Sequence, residues 1–184
     1  MIVNYNRTKL INAILYFAKN TNFCGTTKLF KLLYFLDFEH YQETGRSVTG
    51  LEYFAWKMGP VPVTLYEEIE CPDPDIAEKI SFEPIKTKFE KPMMLATAKA
   101  KFDPSHFSKR ELRILENLAK QHKDSKADEI IEVTHLENLP WNQVYNIEKK
   151  KQQKIPYDYV LRKAEKEMMR HMISENEEIL DNYK

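Results

Sequence analysis

"TTKLFKLLYFLDFEHYQETG", residues 26–45, decides the fold. Leu29, Leu32, Leu33 and Leu36 recur at helical spacing, and Phe30, Tyr34, Phe35, Phe38 and Tyr41 fill most of the remaining circumference. A surface helix keeps one polar face, whereas a helix that is apolar nearly all round is packed on every side. The stretch therefore predicts a central helix that forms the axis of the core. Thr26 or Thr27 can cap its start, and Gly45 suits the position just after its end. Asp37 and His40 sit three apart within it, and buried polar groups need partners. Their candidate partners are groups beside one another or the indole N–H of Trp56 or Trp141.

Working outward, residues 8–19 place Ile11, Ile14, Leu15 and Ala18 on one helical stripe. Downstream, "LEYFAWKM" (51–58) reads as a strand that comes to rest at Gly59. "PVPVTLYEEIE" (60–70) reads as a helix with Pro62 in its first turn, where the missing N–H is harmless. Residues 79–102 alternate well enough for a β-hairpin, with Pro84 at an edge or bulge. With "LEYFAW" as a third strand, a small antiparallel sheet is expected.

Helices then return. Ser108 and Glu111 form a capping box ahead of the stripe Leu112, Leu115, Leu118 and Ala119. Ser125 and Asp128 repeat that logic, with Ile130, Ile131 and Leu136 expected to point inward. Pro140 opens a short helix, and a long charged helix capped by Asp158 is expected over 158–182, roughly 37 Å long. The fold class is mostly α (α+β): a compact helical bundle around a buried central helix, a small antiparallel sheet or hairpin, and a long C-terminal helix. Residues 1–162 read as one domain and 163–184 as a charged helical extension.

Composition narrows the function. At 184 residues with 42% hydrophobic and 12% aromatic content, the chain can bury a full core without staples. A formal net charge of zero gives no bulk attraction to nucleic acid or to an anionic membrane. Cys24 and Cys71 have no metal-type spacing and read as reduced thiols of a cytoplasmic protein. Neither a signal peptide nor a membrane-spanning run is visible.

No catalytic set announces itself. His40, His106, His122, His135 and His171 are scattered without a zinc-ligand pattern, so no metal site is expected. Gly25, Gly45, Gly50 and Gly59 are isolated, which excludes a phosphate-cradling glycine loop and any nucleotide cofactor read through one. Cys24 precedes the central helix, where a helix N-terminus lowers a thiol pKa, but a lone cysteine is a weak nucleophile signal. Lys149, Lys150, Lys151 and Lys154 are candidate nucleic-acid contacts or a solvated helix end. Met168, Met169 and Met172 are a candidate partner or homo-oligomer seam, or else pack on the main body.

Several segments fall in one order: "KLFKLLYFLDFEHYQETGR", "FAWKMGPVPVTLYEE", "SKRELRILENLAKQHKDSKADEIIEVTHLENLPWNQV" and "KIPYDYV". This ordered set, over roughly residues 26–162, resembles the Panacea domain family of SocA-like antitoxins and GepA-like phage-associated proteins. The matching positions are Lys28, Leu29, Lys31, Leu32, Leu33 and Tyr34; Thr44, Gly45 and Arg46; Trp56, Lys57, Gly59, Pro60, Val61, Pro62, Leu65 and Tyr66; Thr134, His135, Pro140 and Trp141; and Ile155 and Pro156. The chain departs from the family in reading Gly-Pro-Val-Pro where members often carry Gly-Pro-Val-Val-Pro, so its corner is expected to be one residue shorter. The resemblance implies a mostly helical, non-enzymatic antitoxin that neutralises a cognate protein toxin by direct binding in a toxin–antitoxin, phage-associated module. One branch of the family instead delivers its toxin to the ClpXP protease. A winged-helix-like DNA-binding regulator using the 149–154 lysines is the competing reading. The 55–68 corner is expected to be a stiff junction of strand and helix, with toxin contact as the alternative.

Overall fold

The computed structural model describes residues 6–86, 93–136, 139–162 and 165–167. The described chain runs α1 (Arg7–Asn20), α2 (Thr26–Thr44), β1 (Phe54–Trp56), β2 (Gly59–Val61), α3 (Val63–Glu68), α4 (Pro74–Ala77), β3 (Ile80–Ile85) and β4 (Met93–Ala98). It continues through α5 (Lys109–Gln121), α6 (Ala127–Thr134) and α7 (Pro140–Asn142), the last extended by a π-type turn at Gln143–Ile147. A 3-10 turn follows at Tyr157–Val160. It is a mostly helical α+β fold with two small antiparallel two-stranded sheets.

α2 is the axis. Every residue from Lys28 to Phe38 is buried, and the helix touches α1, α5, α6, β2, β4 and the Tyr157–Val160 turn. Gly45 ends it in the left-handed conformation (φ 71°), with its N–H on the Tyr41 carbonyl at 2.8 Å. The start differs from expectation: Gly25 holds the cap position and no side chain caps it. Around α2, the rings of Tyr34, Phe38, Tyr53 and Tyr157 pack together at 4.3–6.4 Å, pairs that each add about 0.5–1.5 kcal/mol beyond simple burial.

The expected three-stranded sheet does not form. β1 pairs with β2 through a two-residue turn at Lys57–Met58, in the register Phe54↔Val61, Ala55↔Pro60 and Trp56↔Gly59. Helix α3 therefore starts only at Val63, after Pro62. The free edge of β1 is taken by residues 152–155, through Gln152 N–H to the Ala55 carbonyl (2.8 Å), Ala55 N–H to Gln153 (2.9 Å) and Ile155 N–H to Tyr53 (2.7 Å). β3 and β4 form the predicted hairpin in register Ile80↔Ala98, with Pro84 on an edge strand. β4 leans instead on the α1–α2 junction, where Ala96 N–H reaches the Cys24 carbonyl at 3.0 Å.

The Ser108–Glu111 capping box is present on α5. At α6 the anticipated Ser125 cap is replaced by Lys126, whose N–H is held by Glu129 at 2.9 Å. Leu136 lies beyond the end of α6 and is 59% exposed, not inward. The expected helix from residue 158 is interrupted, because Leu161 is extended (ψ 138°) after the 3-10 turn. Met168, Met169 and Met172 lie outside the described residues. No described helix is long and apolar enough to cross a membrane.

Candidate functional site

The central helix carries three charged residues into the interior: Lys28, Lys31 and Asp37, each at most 1% exposed. Their partners organise the surrounding loops. Asp37 accepts from Val48 N–H (2.8 Å), Thr49 N–H (2.7 Å), the Thr49 hydroxyl and the Tyr53 hydroxyl (2.7 Å). It thus ties the chain between α2 and β1 onto the helix. Complete burial nonetheless raises its carboxyl pKa to about 6, against the opposing pull of those donors. His40 takes the Arg46 carbonyl through Nδ1 at 2.7 Å, and burial lowers its pKa. Neither Asp37 nor His40 uses an indole. Lys28 donates to the carbonyls of Asn22 (2.8 Å) and Lys123 (3.2 Å), joining the start of α2 to the end of α5.

Lys31 reaches the 55–68 corner. Its ammonium donates to the Pro60 carbonyl at 2.8 Å in a buried contact, and burial lowers its pKa to about 7. Gly59, at φ +96°, lies so close that a Cβ there would stand 2.7 Å from Lys31 Cε and 2.9 Å from Thr134 Oγ1. Glycine is thus required both by the backbone angle and by the space. Thr134 itself donates to the Ile131 carbonyl at 2.7 Å.

A second tie comes from α7. The Trp141 indole N–H donates to the Trp56 carbonyl at 2.9 Å. Trp141 is stacked between His135 (3.8 Å) and Tyr145 (4.7 Å). Burial, then the nearby Lys31 charge, lowers the His135 pKa. On the outer side, the Trp56 ring meets Tyr66 edge-on at 5.2 Å, and Tyr66 backs onto Phe30 of α2 at 6.4 Å. The corner is thus held from beneath by two backbone carbonyls, Trp56 and Pro60, and clamped from outside by aromatic rings.

A match to a family model for the SocA-like antitoxin Panacea domain spans residues 29–142. The chain belongs to the SocA-like antitoxin Panacea domain family. Comparison with curated proteins and with solved structures returns no match. The Panacea-domain motif residues, scattered in sequence, are largely brought together. Tyr34 is fully buried in the aromatic cluster, Leu32 is buried beside it, and Lys28 staples the helix start. Gly59, Pro60 and Val61 form β2, Pro62 precedes α3, and Lys57 stands exposed on the turn. Thr134 and Trp141 meet this corner from α6 and α7, His135 stacks on Trp141, Pro140 opens α7, and Gly45 serves the far end of α2.

Other candidates are not part of this arrangement. Lys154 pairs with Glu52 and Lys150 with Glu148 (2.9 Å), while Lys151 lies 5.5 Å over the Tyr145 ring. Lys149 stands in a left-handed turn (φ 56°). Two of the four charges are therefore already countered. Cys24 is buried and its thiol is pushed up to about 11, so burial overrides the lowering expected from the helix start. Glu68, Asp73 and Asp75 converge within 4.8 Å, and the Arg7 guanidinium sits among them, bonded to Glu68 and Asp75. The importance of Lys31 was legible only as one motif position, since a lysine among leucines gives no sign that its head is buried.

Proposed function

We propose that the protein is an antitoxin that neutralises a cognate protein toxin by direct binding, acting as a binding module and not an enzyme. The observation that carries this reading is family membership across residues 29–142. The rigid corner supports it, because a surface fixed before binding loses little conformational entropy on association. In this reading the working unit is residues 1–162, and residues 163–184 are an extension to it.

The test is co-expression with the product of the adjoining gene. Growth arrest by that product alone, relieved when this protein is present and accompanied by a co-purifying complex, supports the reading. A harmless neighbour, or one that stays toxic and unbound beside a soluble, folded chain, sinks it.

A further inference from the structure

The corner presents an apolar patch to solvent. Met58 is 54% and Tyr66 43% exposed, and the half-buried Trp56 lies between the turn and α3 in contact with the Tyr66 ring. Single exposed apolar side chains are ordinary, but here two exposed ones, Met58 on the β1–β2 turn and Tyr66 on α3, flank the half-buried Trp56 along one junction, and Tyr66 touches the Trp56 ring. The backbone beneath them is fixed by the Lys31–Pro60 and Trp141–Trp56 hydrogen bonds. Rigid aromatic anchors of this kind carry most of the energy in protein–protein interfaces.

Charge specifies what the patch fits. From residue 67 to 78 the sequence reads "EEIECPDPDIAE", which contains acidic residues and no lysine or arginine. Arg7 answers Glu68 and Asp75. Glu67 and Glu70 are exposed, and among the described residues no basic side chain comes within ion-pair distance of either. Glu67 follows Tyr66 within α3 and Glu70 stands in the turn just after that helix, so the patch has a negative rim on that side, while Lys57 stands on the β1–β2 turn.

We propose that Trp56, Met58 and Tyr66 anchor a docking surface for a basic, amphipathic segment of the partner protein. An apolar side chain of that segment packs against the Trp56 and Tyr66 rings. Its lysines or arginines face Glu67 and Glu70. This inference rests on the reading of the chain as a toxin-binding protein and adds to it the surface and the chemistry of the partner.

The experiment measures binding of the purified full chain to the adjoining gene's product across a salt series, with growth rescue in parallel. The variants are Met58→Glu, the pair Glu67→Lys with Glu70→Lys, and Phe23→Asn as a distant exposed control whose left-handed backbone (φ 54°) suits asparagine. Met58→Glu and the charge-reversed pair each weaken binding on the order of tenfold or more with unchanged thermal midpoints. The wild-type affinity falls with salt, and the charge-reversed pair loses that dependence. Phe23→Asn binds as wild type. If the wild type rescues growth while both patch variants bind unchanged, this surface is wrong although the antitoxin reading stands. If Met58→Glu instead dissociates a self-associated form and leaves partner binding intact, the patch is a contact between copies and the proposal is overturned. A wild type that neither binds nor rescues removes both.

Discussion

The ammonium of Lys31, buried in the N-terminal third of α2, donates its hydrogen bond to the carbonyl of Pro60 at 2.8 Å. A charge is costly to bury, and here the cost is accepted to fix the backbone of an exposed corner. The same relationship brings together Gly59, Thr134 and His135, residues that lie up to about a hundred positions apart from the lysine.

Lys31 predicts an alkaline gain in stability. Its folded pKa of about 7 lies below the ordinary 10.5, so between those values the unfolded chain binds more protons than the native one. Stability therefore rises as pH increases through that window. From pH ~7 to ~9 the contribution is roughly 2 kcal/mol. Lys31→Met removes this rise, and urea unfolding at the two pH values reads the difference. Equal pH dependence in both proteins contradicts the assignment.

Asp37→Asn is expected to destabilise the fold by about 2–4 kcal/mol, because an amide N–H₂ would confront donors that the carboxylate now accepts from. Hydrogen exchange should accelerate at Val48 and Thr49, whose N–H groups it holds. The pH effect of Asp37 has the opposite sense to that of Lys31. Its folded pKa is raised to about 6 from 3.8, so the stability it contributes is present at acid pH and lost as pH rises through about 6. Unchanged exchange at 48–49 would remove Asp37 as the organiser of that loop.

Gly59→Ala must meet both a positive φ and contacts of 2.7–2.9 Å with Lys31 and Thr134. A loss of about 2–4 kcal/mol is expected, read as a lowered urea midpoint. A neutral outcome would mean that the corner tolerates rearrangement and is not a fixed junction.

Trp141 and Trp56 are expected to separate folding from binding. Trp141 is 2% exposed and its indole holds a backbone carbonyl, so Trp141→Phe should cost about 1–3 kcal/mol. Trp56→Ala leaves that carbonyl in place and removes a half-buried ring from the outer face. A folded Trp56→Ala protein with lost partner binding fits the account. Collapse of folding in Trp56→Ala would make the ring structural instead.

The sequence made the axis legible because residues 26–45 are apolar nearly all round, which leaves no wide polar face. Gly45, the Ser108–Glu111 box and the 79–102 hairpin were readable for the same local reasons. The pairing of β1 with β2 was not, because Gly-Pro-Val carries no alternation and Pro60 with Pro62 suggested the start of a helix. The edge pairing with 152–155 depends on contacts about a hundred residues apart, which leave no local trace. At the site, the ordered motif identified the residues, but which of them meet was hidden. Lys31 is one motif position on the central helix until Pro60 is folded over it, and the weak nucleophile signal at Cys24 disappears once its burial is known.

The central claim is neutralisation by direct binding, and its sharpest test is growth rescue by this protein, co-expressed with the adjoining gene's product, in a host lacking ClpXP. Full rescue is expected there, with the two proteins recovered as a stable complex. Rescue that disappears without ClpXP, while the chain remains folded and abundant, would contradict it and assign the protein to proteolytic delivery.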